Sequence, residues 1–148
     1  MGQQQLLLLV LSTVIVGLAT VAGIQAFSEN QQQAKQDALV QRATAIGTDL
    51  VAAHNKPSQM GGANFTDGES VSNPDVAGIL GVSDASAIPA DGAGQGAECA
   101  VDDDADPVTV KCGTTGSASG DVQVTVQVDP DTDSNDEEVT VTSINVTS

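Results

Sequence analysis

Among the side chains of this 148-residue chain, the two cysteines, Cys99 and Cys112, are the clearest candidates for a chemical reaction. Apolar residues alternate with polar ones on both sides of a turn-like stretch, residues 102–107. If this is a hairpin that pairs Val101 with Val110, Cys99 lies directly opposite Cys112, within reach of a bridge. The spacing therefore favours a structural disulfide over two free thiols. A disulfide in turn implies an oxidising, extracytoplasmic setting.

Metal binding has weaker support. Two cysteines and a single histidine cannot complete an ordinary four-ligand zinc site. His54 stands at the end of a predicted helix, where we interpret it as a cap. Residues 102–106 form one acidic cluster, and a second run, residues 129–135, carries oxygen ligands at alternate positions, as calcium loops do. In the second run, Ser134 and Thr140 occupy the positions where such a loop needs glycine and glutamate. We interpret both acidic runs as turns, with calcium binding as the alternative.

Enzymatic motifs are not found in the sequence. It has no nucleophile elbow, phosphate-binding glycine loop, paired histidine and carboxylate, or basic aromatic patch. Its carboxylates fall in predicted turns, without an apolar pocket that could raise a pKa. We therefore expect neither enzymatic activity nor a cofactor.

Two short motifs match the acceptor pattern for N-linked glycans. They begin at Asn64 and Asn145, and the pattern is short enough to occur by chance. Asn64 lies in a predicted loop and is the better candidate. Turns rich in serine and threonine offer O-linked sugars as an alternative.

The longest apolar run, residues 6–27, dominates the organisation of the chain. No charge precedes Glu29 and no proline precedes Pro57. As a helix these 22 positions reach roughly 33 Å, enough to cross a bilayer core. The n-region is uncharged and the run is too long for an ordinary cleaved signal, so we expect a retained helix. Its candidate assembly residues are Leu6, Leu7, Leu8, Leu9, Val10, Val14, Ile15, Gly17, Leu18, Val21, Gly23, Ile24 and Phe27.

An amphipathic helix is predicted to continue the apolar one without a break. Its apolar positions recur at steps of four and three, which is typical of a helix with one buried face. We therefore divide the chain into an apolar helix (1–28), an amphipathic helix (29–56) and a distal domain (57–148). The predicted helix-to-sheet packing residues are Leu39, Ala43, Ile46, Leu50 and Ala53.

The negative charge is confined to the distal domain. Residues 57–148 hold 17 acidic residues against Lys111 alone, which accounts for the net charge of −16. Such a domain repels nucleic acid and anionic lipid. Because it is also poor in lysine and aromatics, it is typical of proteins from salt-loving organisms; an acidic secreted domain is the alternative.

Period-two alternation predicts strands in the distal domain. Val122, Val124, Val126 and Val128 alternate strictly with polar residues. Within residues 139–146 the apolar residues change from odd-numbered to even-numbered positions. A one-residue bulge at 142–143 would return them all to one face of the strand. Residues 75–82 are ambiguous between a short helix and a buried strand, and 83–96 resemble a loop. We predict an α+β fold, with the long helix packed on an antiparallel sheet of three or four strands.

This order of elements resembles that of type IV pilins. The resemblance rests on the charge-free apolar helix that continues into an amphipathic one, followed by a small β-rich domain with a late disulfide. Its sequence-specific part is confined to residues 3–26. The resemblance implies a homo-oligomeric helical filament on the cell surface, for adhesion or motility, whose subunits sit in the cytoplasmic membrane before assembly.

Two features depart from the pilin pattern. Type IV pilins usually carry a glutamate shortly after a methylated first residue; here the place holds Gln5, or Leu7 if cleavage precedes Gln3. Many also have a proline within the apolar helix, where this chain offers only Gly17 and Gly23. A pseudopilin of a secretion system and a monomeric membrane-anchored surface protein are the alternatives.

Overall fold

The computed structural model of the chain describes residues 2–62, 73–102, 107–116, 119–129 and 139–147. Within these residues, two α-helices and a short 3-10 helix precede five strands, an arrangement that confirms the predicted α+β class. The helices are α1 (Gly2–His54), the 3-10 helix (Ser58–Met60) and α2 (Asn73–Leu80). The strands are β1 (Ile88–Pro89), β2 (Glu98–Asp102), β3 (Val108–Gly113), β4 (Val122–Val128) and β5 (Val139–Val146).

The chain divides into two compact units, Met1–Gln33 and Ala34–Ser148. The first unit consists of the N-terminal part of α1. The second contains the rest of α1, α2 and the sheet, so residues 34–54 belong with the distal domain. Every buried hydrophobic residue among the described ones lies in this second unit.

Helix α1 is uninterrupted because no proline occurs before Pro57. It ends at His54, and Asn55 and Lys56 still donate backbone hydrogen bonds to carbonyl oxygens in its last turn. Pro57 then follows, and the residue before a proline disfavours helical geometry. The predicted continuation of the apolar helix into the amphipathic one is therefore present.

The sheet is an antiparallel meander in the order β1-β2-β3-β4-β5. Val101 pairs with Val110 and Cys99 with Cys112, which is the register predicted from the alternation. Between β4 and β5 the register shifts by one residue after the Thr125–Ser143 pair. Thr142 is the extra residue, so the bulge lies where the change of parity predicted it.

The core lies between α1 and one face of the sheet. All five predicted packing residues of α1 are buried, and they join the inward-facing residues of the strands in a single cluster. Two further positions of α1, Gly47 and Val51, are buried as well. The inward-facing residues of β2, β3 and β4 are Cys99, Val101, Val108, Val110, Cys112, Val122, Val124, Val126 and Val128.

Two local expectations change. Residues 75–82 fall largely in helix α2, whose Val76 and Ala77 are buried in the core. Ile88 and Pro89 form β1 inside the stretch expected to be a loop, so the sheet has five strands in the described part of the chain rather than three or four. Two residues are too few to show a period, and β1 exists because Ile88 pairs with Cys99.

Candidate assembly surfaces

The apolar segment, residues 6–27 of α1, is exposed along its whole length. Its large apolar side chains are between 52% and 72% exposed. It is long and apolar enough to cross a membrane, and none of its most apolar stretch is buried. By length and composition it suits a membrane anchor or a signal. An exposed apolar surface of this size is typical of a site of contact with lipid or with other protein chains.

The polar side chains within this segment are largely satisfied inside the helix. Ser12, Thr13 and Thr20 each donate a hydroxyl hydrogen bond of 2.8–2.9 Å to the backbone carbonyl three residues earlier. Such internal bonds lower the cost of placing hydroxyls in apolar surroundings. The segment is therefore suited to apolar contact on all its sides.

Gly17 and Gly23 leave open notches in the apolar segment. A Cβ atom at either position would meet no atom within 4 Å, so neither glycine is required by packing inside the subunit. Each nevertheless costs about 1 kcal/mol of helix propensity relative to alanine. Small residues at such positions let a neighbouring helix approach closely in apolar surroundings.

The disulfide between Cys99 and Cys112 is formed, as the hairpin register predicted. Both residues are fully buried and lie on the core face of β2 and β3. The bridge therefore stabilises the domain and exposes no reactive thiol, since both cysteines are used in it.

The described residues contain no candidate metal site. No group of three or more histidine, cysteine or acidic side chains among them could hold an ion. Of the two candidate calcium runs, residues 103–106 and 130–135 lie outside the described part. Asp102 forms an ion pair of 2.6 Å with Lys111, diagonally across β2 and β3. This pair was not predicted, although the predicted hairpin register already places the two residues diagonally across the strands.

The two candidate glycan acceptors differ in what the structure says of them. Asn64 lies outside the described residues. Asn145 lies on the exposed strand β5, opposite Gln123 and therefore on the sheet face away from the core. A glycan there would not collide with the helix, but its presence stays a prediction.

An apolar strip on β5, consisting of Val141, Ile144 and Val146, is the main feature that sequence analysis missed. Each of these side chains is 43–45% exposed. The bulge places them on the core face of the sheet, as predicted, opposite the buried residues Val126, Val124 and Val122. The alternation indicated the correct face but not that this edge of the face is uncovered. We refer to these three residues as the β5 strip.

Comparison with known proteins adds no relative. No family model matches the chain, and no curated protein and no solved structure matches it.

Proposed function

We propose that the chain is the structural subunit of an extracellular filament of the type IV pilus class, assembled through its N-terminal apolar helix. The observation that carries the proposal is the exposed apolar segment joined by an unbroken helix to a domain with its own core. A filament would bury that segment in a bundle of identical helices. Subunits would reside in the cytoplasmic membrane before assembly.

Features of the segment favour a bundle over lipid alone. A membrane anchor needs only apolar surface, and leucine would serve it better than glycine at positions 17 and 23. Both glycines are open in the subunit, so their cost in helix propensity has no compensation there. A neighbouring helix packed against them would supply that compensation.

The distal domain supports the proposal through its independence from the apolar segment. Leu39, Ile46 and Leu50 fix the C-terminal part of α1 to the sheet, and all three are at most 2% exposed. We therefore expect the domain to remain folded whether residues 6–27 are in lipid or in a bundle. Its acidic surface would face solvent, and we propose adhesion or motility as the role of the filament.

The competing functions are a monomeric membrane-anchored protein and a pseudopilin of a secretion system. The apolar segment alone is compatible with both. A surface anchor should remain in the membrane fraction after cells are sheared, whereas a filament subunit should be released in long polymers. A pseudopilin should remain cell-associated at native expression levels.

The test is electron microscopy of material sheared from cells that express the full chain. We expect uniform filaments, with this chain as their principal protein by mass spectrometry. A strain lacking the chain should shed no such filaments, and a chain lacking residues 6–27 should not restore them. Detection of the wild-type chain only as membrane-bound monomer would refute the proposal.

A further inference from the structure

The core face of the sheet is covered unevenly from one edge to the other. One row of neighbours across the sheet is Ile88, Cys99, Cys112, Val124 and Ile144. The first four are at most 1% exposed, but Ile144 is 43% exposed. The row through Val110 and Val126 likewise ends in Val141, which is 45% exposed. The apolar face of the sheet thus extends to β5, one strand beyond the part of that face that is fully buried.

The position of α1 explains where the cover ends. Arg42 Nε donates a hydrogen bond of 3.2 Å to Pro89 O in β1, and Gly47 lies against Val139 in β5. Helix α1 therefore crosses the strands obliquely and covers β5 only at its Val139 end. A helix is roughly 10 Å wide and strands are about 4.8 Å apart, so one helix covers two or three strands. The β5 strip lies beyond the strands that α1 covers.

Charge restricts what can occupy this place. Residues 139–147 carry no charge, although residues 57–148 hold the whole net charge of −16. A partner surface rich in carboxylates would lose hydration there without gaining an ion pair. Among the described residues, the other large exposed apolar side chains belong to residues 6–27, apart from Met60. Residues 6–27 also carry no charge.

Symmetry distinguishes the apolar segment from a second β5 strand as the occupant. Pairing of β5 with the same strand of another copy would be an isologous contact, which closes into a dimer. A filament grows through heterologous contacts, in which one surface meets a different surface of the next copy. The β5 strip and the apolar segment are two such different surfaces.

We propose that the β5 strip docks the apolar segment, residues 6–27, of a second copy of this chain. The docked helix lies beside α1 on the same face of the sheet and extends the existing helix-on-sheet packing by one helix. This contact rests on the proposed filament, and it specifies one interface within it. The domain then holds its neighbour's helix as well as its own.

The test places a photo-reactive phenylalanine analogue at position 144 of the full chain. Filaments assembled from a mixture of isotopically light and heavy subunits are irradiated, and cross-linked peptides are identified by mass spectrometry. We expect Ile144 to be joined to residues 6–27, in pairs that combine a light and a heavy chain. The matched control carries the analogue at Ser143, which pairs with Thr125 on the opposite face of the sheet, and should not reach that segment.

A conservative substitution gives a second readout. Ile144→Thr keeps a β-branched side chain but removes apolar surface, so we expect about tenfold weaker subunit association, seen as a lower temperature of filament dissociation. Ser143→Thr should leave dissociation unchanged. Melting of the domain should change little in either variant, because Ile144 is already partly exposed.

Three results would overturn the proposal while leaving the filament intact. They are cross-links from position 144 to residues 139–147 of another chain, cross-links to lipid alone, and filaments without any intermolecular cross-link. Failure of the wild-type chain to form filaments would instead refute the proposed function, and this contact with it.

Discussion

Gly47 of α1 lies so close to Val139 of β5 that a methyl group at Gly47 would stand 3.0 Å from Val139 Cγ1. The same methyl group would be 3.1 Å from Cγ2 of Val128, which is almost fully buried. Helix and sheet therefore approach more closely here than alanine comfortably allows. This contact fixes the height of α1 above the last two strands and explains a glycine inside the amphipathic helix.

Substitution of Gly47 should therefore destabilise the domain despite a gain in helix propensity. Overpacking at this position costs about 1–3 kcal/mol, whereas alanine has a helix propensity about 1 kcal/mol more favourable than glycine. Gly47→Ala should therefore lower the free energy of unfolding by about 1 kcal/mol. The measurement is urea unfolding of residues 34–148, which contain the whole described core. Gly78→Ala is the control: Gly78 has no neighbour within 4 Å, so stability should rise. The same sign of change in both variants would contradict the close-approach argument.

Loss of the disulfide should have a larger effect. Cys99 and Cys112 are 13 residues apart, and closure of such a loop is worth about 3 kcal/mol in the chain-entropy model. We expect the double variant Cys99→Ala with Cys112→Ala to lose about that much in urea unfolding. Reductant should destabilise the wild-type domain and leave the double variant unchanged. If both thiols of the unreduced protein react with an alkylating agent, the bridge is absent.

The ion pair between Lys111 and Asp102 should contribute little. Both side chains are about 40% exposed, and pairs in such positions are typically worth 0.2–1 kcal/mol. A double-mutant cycle with Lys111→Gln and Asp102→Asn should give a coupling energy of about 0.5 kcal/mol at low salt. In 1 M KCl the coupling should approach zero, because screening then acts over about 3 Å. A coupling above about 2 kcal/mol that persists in salt would contradict this account.

Salt should stabilise the domain as a whole. Residues 57–148 carry 17 acidic side chains and one lysine, so mutual repulsion is strong when it is poorly screened. We expect the melting temperature of residues 34–148 to rise between 0.1 M and 3 M KCl. A variant with several exposed aspartates replaced by asparagine should show a smaller rise. A flat profile for the wild-type domain would exclude self-repulsion as a significant term.

The sequence predicts a strand best where the strand is long enough to show the alternation of apolar and polar residues. The seven residues of β4 show the alternation clearly, and the change of parity in β5 predicts the bulge at Thr142. The disulfide follows from the same alternation. Strand β1 is too short for any period, and its identity depends on its partner.

Exposure of the β5 strip could not be predicted for a different reason. Alternation tells which face of the sheet a residue occupies, but the width and path of the covering helix decide whether that face is buried. The path of α1 depends on contacts distant in sequence, such as Arg42 with Pro89 and Gly47 with Val139. The pairing of Lys111 with Asp102, by contrast, was open to prediction, since the register that pairs Val101 with Val110 places these two residues diagonally across β2 and β3.

The central claim is that the apolar segment packs against the same segment of other copies of the chain. A larger side chain in place of Gly17 tests this claim. Within the subunit Gly17 has open space around it, so Gly17→Leu should fold and insert into the membrane at least as well as the wild type. In a bundle the added side chain should overpack every subunit, at a cost of about 1–3 kcal/mol each. Val16→Leu, which adds one methylene next to Gly17, is the matched control.

The decisive measurement is the amount of chain in the sheared extracellular fraction relative to the membrane fraction. We predict that Gly17→Leu moves the chain into the membrane fraction and removes filaments, that Gly17→Ala has a smaller effect, and that Val16→Leu has little effect. Unchanged filament yield for Gly17→Leu would contradict the packing of the apolar segment against other copies.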